Sequence, residues 1–428
     1  MFTPTIHIHH HPRTSLLPLL STHLPYSAPL FRRIQHSLIY PSETAQILAT
    51  FPTALASTSF KSLSPWLVAY VDVYVGRETQ IWLYSSVEAV ASLPSIHQRS
   101  ATEEQSSDPD QPSKLALEPV IAAEIQAQLL SLCSYIRTHL IPPYLSHLES
   151  QSQEYGHAPS PIPQTPKSVE KLLPHPPASV KIGSIHTGIY DLLRAMMEAP
   201  ESIPSHLPKI RILPHDTGIY MKYQFRRSTY DPLQEKSDDA SSSITENDRD
   251  LPSGYRFHDV NRRVGIQPRH LDLVISRTNI PLSKDVLEKL PSVALYFDGS
   301  SDNMTCSGLG ATADEPSGCA SGDIPVAWAF LGLDGSLCTL HVEEEHRGRG
   351  LAKVIAKEMM KSGMGAHGGG VFTSAPGSDG ATMDKVKDND HGRVYADVSL
   401  QNKASRNVMR KLGGEPAWTV KWVVVEVL

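Results

Sequence analysis

A short basic segment near the end of the chain combines residue types that could hold a phosphate group: Arg347-Gly348-Arg349-Gly350. It stands where a strand-like run gives way to an amphipathic helix. Glycine lets another molecule approach the backbone closely, and arginine supplies cationic hydrogen-bond donors. The first N–H groups of a helix have no partner inside the helix and lie at the positive end of its dipole. The segment therefore predicts a site for an anion of pyrophosphate size.

The helix after Gly350 has one apolar face. Its apolar residues recur at i, i+3, i+4 and i+8: Leu351, Val354, Ile355 and Met359. A stripe with this spacing packs against a sheet, so the N-terminus of the helix is expected at the edge of that sheet with its N–H groups exposed. A second side carries Lys353, Lys357 and Lys361. These lysines are open to two interpretations, a contact to a further phosphate and a solvated basic face.

Three other classes of glycine-containing motif require neighbours that differ from those found here. A P-loop needs Lys-Ser or Lys-Thr after its second glycine, whereas Gly350 is followed by Leu351-Ala352. A dinucleotide-binding fingerprint needs a third glycine where Lys353 stands. A nucleic-acid-binding Arg-Gly tract would be longer and repeated. A helix that merely begins with small residues stays open as the alternative without a ligand.

The elements around the segment follow a recognisable order. It is preceded by a hairpin with a strong turn dipeptide, DG, in "PVAWAFLGLDGSLCTLHV" (325–342). It is followed by the strand "RVYADVSL" (393–400), then Asn402, then a helix that ends in "KLGG". In this order residues 251–428 resemble the acetyl-CoA-binding core of the GNAT superfamily of N-acyltransferases. Within it, they are most similar to the glycine N-acyltransferase-like branch.

The resemblance implies a fold, a co-substrate and a set of binding residues. The fold is α+β, with a mixed, mostly antiparallel sheet flanked by helices, and the co-substrate is acetyl-CoA or another acyl-CoA. Backbone groups of the strand before the loop would bond the pantetheine arm and polarise the thioester carbonyl, while the loop would hold the pyrophosphate. The implied cofactor-binding residues are Leu340 and Val342 on the strand, Arg347, Gly348, Arg349, Gly350, Leu351 and Ala352 in the loop, and Asn402, whose alternative role is a plain helix N-cap.

The acid–base residues of the family pattern are absent. By the resemblance, the glutamate base of the glycine-conjugating relatives corresponds to Ser336, and the tyrosine that protonates the departing thiolate corresponds to Met409. His341 is the predicted catalytic base, because an imidazole that titrates near neutral pH suits a proton relay. Its alternative is a half-buried strand residue. Glu343 is the second catalytic candidate, with a solvated loop face as the alternative.

The composition is that of an ordinary soluble globular protein, with 40% apolar and 20% charged residues in a chain of 428. A formal net charge of -6 argues against a nucleic-acid-coating protein. The four cysteines show no paired or metal-type spacing, which suits a reducing compartment. No metal site, nucleic-acid partner or membrane span is predicted. The histidines at positions 7, 9, 10 and 11 are interpreted as part of a terminal tail.

The N-terminus allows two interpretations. The first 42 residues contain no Asp or Glu, a bias typical of an organellar transit peptide. The alternative is a structured first helix, since Leu30, Ile34 and Leu38 keep helical spacing. The predicted location is cytoplasmic, with the mitochondrion as the alternative from the acid-free N-terminus.

Polar stretches rich in proline or serine divide the chain. Those near 97–114 and 150–167 are predicted to be disordered loops inside an N-terminal α+β domain, 1–233. The acidic stretch 234–250 is the predicted linker to a GNAT-like domain, 251–428. The N-terminal domain has no glycine-rich phosphate signature. Its weak likeness to a degenerate acyltransferase-like half predicts a scaffold or a substrate-shaping role.

Within the N-terminal domain the sequence predicts a few elements directly. The run "PWLVAYVDVYVGRETQIWLYSS" (65–86) predicts two strands joined at Gly76, and the stretches 120–148 and 184–197 predict helices. Together these features predict a two-domain acyltransferase that moves an acyl group, most simply acetyl, from acyl-CoA to the amine of a small molecule or amino acid by direct attack. The alternative is a catalytically weak or inactive CoA-binding or interaction protein on the same fold. Acceptor, acyl length and oligomeric state do not follow from the sequence.

Overall fold

The computed structural model describes residues 4–53, 64–91, 111–155, 176–215, 218–226, 251–278, 280, 282–298, 323–364 and 393–428. The chain forms two compact units, and each unit is made of segments that are separate in the sequence. The first comprises Met1–Arg226, Leu333–Ser336 and Met364–Leu428, and the second comprises Arg227–Gly332 and Leu337–Gly363. The predicted linker 234–250 lies outside the described residues, as does most of the two predicted loops. The described start of the second loop, 150–155, is helical.

The described strands, in chain order, are β1 (His7–Ile8), β2 (Gln46–Ala49), β3 (Leu67–Val71), β4 (Ile81–Ser85), β5 (Ser179–His186), β6 (Ile210–Leu213), β7 (Tyr220–Phe225), β8 (Tyr255–Arg256), β9 (Ser292–Phe297), β10 (Pro325–Leu331), β11 (Leu337–Val342), β12 (Val394–Ser399) and β13 (Glu415–Val427). The described α-helices are α1 (Pro12–Ser15), α2 (Leu17–Ser21), α3 (Ala28–Ile39), α4 (Val87–Ala91), α5 (Pro119–Tyr135), α6 (Ile141–Tyr155), α7 (Thr187–Glu198), α8 (Leu271–Arg277), α9 (Lys284–Lys289), α10 (Leu351–Met364) and α11 (Lys403–Lys411). The predicted class, α+β with mostly antiparallel sheet and flanking helices, is confirmed.

The first unit is built on a nine-stranded sheet in the order β1-β2-β3-β4-β5-β13-β7-β12, with β6 also pairing with β13. Its strand pairs are antiparallel except for β4 and β5, which run parallel over two residue pairs, Ile81↔Ile182 and Trp82↔Gly183. Apolar side chains form two main core clusters, one that joins α3 to β3 and β4, and one that joins α5 to β5 and β13. The predicted pair of strands on either side of Gly76 is confirmed as β3 and β4.

Strand β7, from the middle of the chain, lies between two C-terminal strands in this sheet. It pairs with β12 on one side and β13 on the other, so that Lys222 lies opposite both Asp397 and Trp418. A strand that precedes the predicted linker therefore completes the sheet of strands that follow it. The compact units consequently differ from the contiguous domains 1–233 and 251–428, because hydrogen bonding across the sheet, and not chain order, joins these strands.

A long helical run packs in the first unit. Helix α5 continues through a π-helical turn, Ile136–Leu140, into α6. By length and composition alone the stretch Pro119–Gln151 is long and apolar enough to cross a membrane, and half of its most apolar window is buried. The buried side chains, among them Ile125 and Leu129, belong to the core cluster of the sheet. This packing accounts for the apolar composition of the run.

The N-terminal residues are ordered parts of the first unit. The alternative of a structured first helix is confirmed by α3, which starts with Pro29 in its first turn. The interpretation of the histidine cluster as a tail is wrong: His7 lies in β1, and His9 is buried. The His9 ring contacts the Ser15 hydroxyl through Nδ1 at 3.1 Å and the Phe51 carbonyl through Nε2 at 3.0 Å. These bonds satisfy a polar ring inside the core.

Two predicted elements have other bounds. The first residues of the predicted helix 184–197 belong to β5, because His186 ends the strand and caps α7 by accepting the Gly188 N–H. The sequence "YRFHDV" (255–260) predicts a short strand, but β8 ends at Arg256, since the buried Asp259 accepts the N–H groups of Asn261 and Arg263 and closes a loop there. Capping and loop side chains thus set bounds that periodicity does not reveal.

The second unit contains a four-stranded antiparallel sheet in the order β11-β10-β9-β8. The sequence also predicts helices over 269–277 and 282–290, which are confirmed with shorter bounds as α8 and α9, and the predicted helix after Gly350 is confirmed as α10. Leu351, Ile355 and Met359 are buried, so the predicted apolar face of α10 is also confirmed. The hairpin between β10 and β11 turns at Gly335, whose φ of 75° suits glycine.

Candidate functional site

The segment predicted to hold an anion is an exposed loop between β11 and α10. A short 3₁₀ turn, Glu344–His346, follows β11, and residues 347–350 are exposed. Gly348 and Gly350 have φ angles of 78° and 81°, which L side chains rarely adopt. A Cβ atom at either position would meet nothing within 4 Å. The glycines are therefore required by the backbone turn, and the space beside them is open.

The backbone N–H groups of this loop are available for a ligand. The Arg347 N–H is used within the 3₁₀ turn, and the Gly350 carbonyl accepts from Lys353. Within the described part of the chain, the N–H groups of residues 348–352 have no backbone acceptor. Helix α10 begins at Leu351, so these groups lie at the positive end of its dipole. Unpaired amides at an exposed helix start bind anions.

The two arginines of the loop fold back on its carbonyl groups. Arg347 Nε donates to the Val342 carbonyl at 3.0 Å, and Arg349 Nη2 approaches the Glu345 carbonyl at 3.4 Å. Both side chains are exposed, so each guanidinium keeps further N–H donors at the surface of the loop. They add positive charge beside the unpaired amides.

The start of the loop is anchored by His346. Its Nδ1 atom lies 2.8 Å from the Tyr255 hydroxyl, and its ring packs edge-on against the rings of Tyr255 and Phe297. Burial lowers the pKa of His346, and the neighbouring Arg349 lowers it further. The ring is therefore neutral at pH 7 and acts as a packed, hydrogen-bonded anchor. Through it, β8 and β9 fix the position at which the loop begins.

Strand β11 carries a bulge next to the loop. The register between β10 and β11 shifts between Trp328 and Phe330, and Thr339 has a φ of 53°. A β-branched residue with a left-handed backbone is strained, and β-bulges redirect backbone groups at functional sites. Leu340 and Val342, the predicted pantetheine-binding residues on this strand, are half-buried. The bulge precedes both of them.

The predicted catalytic pair lies at the end of β11. The His341 ring stacks on the buried Trp328 ring, with centroids 4.6 Å apart and an interplanar angle of 24°. His341 Nε2 is 3.5 Å from Glu343 Oε2, an ion-pair distance longer than a good hydrogen bond. Burial lowers the pKa of His341, while the Glu343 carboxylate opposes this shift. The imidazole is thus neutral at pH 7 and able to accept a proton.

Glu343 is held from the other side by an arginine. Arg277 Nε on α8 lies 3.0 Å from Glu343 Oε1 and 3.3 Å from Oε2. The alternative of a freely solvated loop face therefore does not describe Glu343, whose side chain is only 19% exposed. Lys353 and Lys357 of α10 do lie on an exposed face.

The other predicted site residues belong to the first unit. Asn402 caps α11, with its Oδ1 atom accepting the Ser405 N–H at 3.0 Å, so the N-cap alternative is confirmed. Ser336 Oγ donates to Asp334 Oδ1 at 2.6 Å. Met409 is buried in the core. Neither Ser336 nor Met409 supplies an acid or base.

Sequence reasoning missed several residues that shape the site. Trp328, Arg277 and Tyr255 hold the predicted residues from strands and a helix that lie far away in the chain. Thr339 adopts a left-handed backbone although threonine normally favours extended strands. Only a turn-forming glycine or asparagine would have revealed this position from sequence.

No group of three or more His, Cys, Asp and Glu side chains is placed to hold a metal ion in the described ranges. The site thus consists of a loop with unpaired N–H groups at a helix start, a bulged strand and a neutral imidazole beside a carboxylate. Such a set can hold a phosphorylated cofactor and accept a proton from a nucleophile.

Comparisons with solved structures find likenesses at very low identity. A Drosophila protein of known crystal structure has 10% identity, 99% coverage of both chains and a TM-score of 0.49. A tandem GNAT protein from the clavulanic acid biosynthesis pathway has 9% identity, covers 98% of this chain and 97% of its own, and has a TM-score of 0.39. A GCN5-related N-acetyltransferase from Kribbella flavida has 9% identity, 84% and 86% coverage, and a TM-score of 0.32.

A search of curated proteins finds no match. Residues 3–223 match the family model of the acyl-CoA N-acyltransferase verG N-terminal domain. The match lies in the half of the chain that had no phosphate signature, whereas the motifs that resemble the GNAT superfamily lie in residues 251–428. It confirms the expectation at the level of the superfamily and leaves the glycine N-acyltransferase-like branch as a prediction. The chain belongs to the acyl-CoA N-acyltransferase family that the verG N-terminal domain represents.

Proposed function

We propose that the protein transfers an acyl group, most simply acetyl, from acyl-CoA to the amine of a small molecule or an amino acid. The observation that carries the proposal is the row of N–H groups at residues 348–352 without a backbone acceptor, at the start of α10, with the exposed side chains of Arg347 and Arg349 beside it. The pyrophosphate of CoA has the charge and size that such a row accepts. The glycine N-acyltransferase-like branch and a cytoplasmic location belong to this proposal as well.

The pantetheine arm would follow β11. Backbone groups near Leu340 and Val342 bond the arm, and the bulge at Thr339 turns a backbone group toward the thioester carbonyl. A donor placed there stabilises the oxyanion that forms when an amine attacks. Asn402 is proposed to contact the thiol end of the cofactor, using the part of its carboxamide that does not cap α11.

The chemistry is a direct displacement. The amine nitrogen attacks the thioester carbon, the nitrogen–carbon bond forms and the carbon–sulfur bond breaks, so CoA leaves as the thiolate. His341 takes the proton that the attacking nitrogen loses, and Glu343 stabilises the imidazolium that results. The thiolate is protonated by solvent, since no acid stands at Met409.

Binding of the cofactor is tested at Gly350. Gly350→Trp puts a large side chain where the backbone must meet the phosphates, and it should abolish the binding of acetyl-CoA measured by calorimetry. Gly76→Trp is the matched control, because Gly76 has a similar φ of 65° and equally open surroundings but no predicted role. Both variants place a tryptophan at a positive φ, where an L side chain is strained. Equal loss of affinity in both, or none in Gly350→Trp, would contradict the proposal.

The second candidate function is a CoA-binding protein that does not turn over. Ser336 and Met409 favour it, because they stand where the family pattern has its base and its acid. Thiol release from acetyl-CoA with a panel of glycine, ethanolamine and putrescine separates the two. Turnover above the rate without protein supports the transferase. Saturable binding with no turnover for any of these amines supports the binding protein.

A further inference from the structure

Arg277, the last residue of α8, reaches the end of β11 and contacts one side of the Glu343 carboxylate. Arg277 Nε lies 3.0 Å from Glu343 Oε1 and 3.3 Å from Glu343 Oε2, so both carboxylate oxygens face one nitrogen atom. The Arg277 side chain is 45% exposed and that of Glu343 is 19% exposed. Both residues and the neighbouring His341 belong to the second unit.

The other side of the same carboxylate faces an imidazole without closing onto it. Glu343 Oε2 lies 3.5 Å from His341 Nε2, which is longer than a good hydrogen bond. The Nε2 atom is buried and has no hydrogen-bond partner among the described residues. A buried ring nitrogen beside a carboxylate normally forms a hydrogen bond with it. The carboxylate is therefore held back from the ring, and its closer contact is the one to Arg277.

The charged groups that face the His341 ring come from α8 and from the residues that follow β11. Burial is the largest effect and lowers the pKa of the ring, Glu343 raises it, and Arg347 and Arg277 lower it. Trp328 on β10, whose ring stacks on the imidazole, is uncharged. Arg277 thus opposes protonation of the ring both through its own charge and through its contact with Glu343.

This ion pair contributes little to the stability of the fold, because nearly half of the arginine side chain is open to solvent. Its effect on the imidazole has a larger consequence for acyl transfer. A general base must be unprotonated before the amine attacks. An imidazole in direct contact with a carboxylate holds its proton to higher pH, since the adjacent negative charge stabilises the imidazolium.

We propose that Arg277 is a positioning residue that holds the Glu343 carboxylate away from the His341 ring and so keeps the imidazole uncharged until the amine attacks. The inference rests on the proposed acyltransferase function, in which His341 takes the proton of the attacking nitrogen. Once the imidazolium has formed, Glu343 stabilises its charge across the 3.5 Å gap. Arg277 forms no bond with the acceptor and takes no proton.

The test compares three variants of the full chain. Arg277→Met removes the guanidinium, and Arg277→Met/Glu343→Gln also removes the carboxylate. The matched control is Lys284→Met, which removes one positive charge from another exposed ion pair of the second unit, the pair with Asp272. The titration of His341 is followed by NMR in protein labelled with ¹⁵N-histidine, and its signal is assigned with His341→Gln. The pH dependence of kcat/KM with the best amine of the panel and thermal unfolding are measured alongside.

In Arg277→Met the pKa of His341 should rise, because a cation is lost and Glu343 becomes able to close onto the ring. The ratio of variant to wild-type kcat/KM, in which the ionisation of the amine cancels, should be about one at pH 8.5 and about fivefold lower at pH 6. In Arg277→Met/Glu343→Gln the titration midpoint and the pH dependence of the ratio should return to those of the wild type. Lys284→Met should change neither.

A structural role for Arg277 would lower the rate equally at both pH values, and the second substitution would not reverse the loss. Three outcomes decide between the proposals. If the wild type turns over no amine, the proposed function fails and the catalytic role of Arg277 fails with it. If the wild type is active and the His341 midpoint in Arg277→Met is unchanged or moves to lower pH, the transferase stands and this inference is wrong. If the midpoint moves equally in Arg277→Met and in Arg277→Met/Glu343→Gln, Arg277 does not act through Glu343, and the inference is again wrong.

Discussion

Each unit contains a junction between a strand and the next helix. The two junctions differ in whether their backbone N–H groups have an acceptor within the chain. After β4, the Ser85 N–H donates to Oε1 of Glu88 at 2.8 Å, and Glu88 is buried. After β11, the N–H groups of residues 348–352 have no backbone acceptor in the described part of the chain, and Arg347 and Arg349 stand among them. One junction uses its own carboxyl group as the acceptor, and the other leaves its N–H groups open to an acceptor from outside the chain.

The comparison shows that the backbone geometry of a strand–loop–helix is not enough to make an anion site. A carboxyl group of the chain that accepts such an N–H takes the place that a bound anion would occupy. The Glu88 carboxyl is so deeply placed that burial raises its pKa to about 8, against the opposing effect of the Ser85 N–H. The glycine and arginine content of the second junction is therefore what distinguishes the proposed CoA-binding half from the other.

The largest expected effect comes from reversing the charges of the second junction. Arg347→Glu/Arg349→Glu removes two charge-assisted contacts to phosphate and places carboxylates there, so acetyl-CoA affinity should fall by about a thousandfold. Arg262→Glu/Lys289→Glu makes the same change in net charge at other exposed positions of this unit and should bind almost as the wild type does. Isothermal titration calorimetry measures both. A similar loss in the two variants would show that the overall charge, and not the loop, governs binding.

The next effect concerns the carboxyl group that the first junction carries. The folded-state pKa of Glu88 is raised, to about 8 from 4.5, so the folded protein holds a proton that the unfolded chain has released in this pH window. Stability must therefore fall as pH rises from about 4.5 to about 8, and Glu88 should contribute about 2.5 kcal/mol to the difference between pH 5 and pH 7.

Urea unfolding at the two pH values checks this sign. Glu88→Gln keeps an oxygen for the Ser85 N–H and should abolish that part of the pH dependence, while the exposed Glu149→Gln should leave it unchanged. If the wild type becomes more stable between pH 5 and pH 7 relative to Glu88→Gln, Glu88 is ionised in the folded protein, and the first junction holds a buried anion instead of a protonated carboxyl group.

The smallest effect lies in the anchor of the second junction. Tyr255→Phe removes the hydroxyl that contacts His346 but keeps the ring, so it should cost about 1 kcal/mol of stability in the loop and weaken acetyl-CoA binding about fivefold. Tyr135→Phe also removes one hydroxyl hydrogen bond, to Gln46 in the first unit, and serves as the control for affinity. Unchanged affinity in Tyr255→Phe would mean that the 3₁₀ turn is held without this contact.

Much of the second junction could be predicted from sequence because its properties are local. The positive φ of Gly348 and Gly350 and the apolar stripe of α10 depend on near neighbours in the chain. The turn at Gly335 and the Asn402 cap are equally local. Such features repeat wherever the same few residues occur.

The side chains that contact His341 and Glu343 could not be predicted, because they belong to other elements that are brought together only by tertiary packing. Trp328 under His341 and Arg277 against Glu343 come from different elements, and neither has a motif of its own. Thr339 has a left-handed backbone in the bulge, although threonine favours an extended one. Sheet register and tertiary packing overrode local propensity at this position.

The sequence by itself determined the chemistry of the loop, the class of fold and the superfamily, since each depends on residue type, spacing or periodicity along a short stretch. Only the tertiary structure decided that β7 lies between β12 and β13, that the Glu88 carboxyl group occupies the first junction, and that Lys222 meets Asp397. The reason is that strand pairing and the burial of charge depend on which distant segments exclude water together, and no local pattern contains that information.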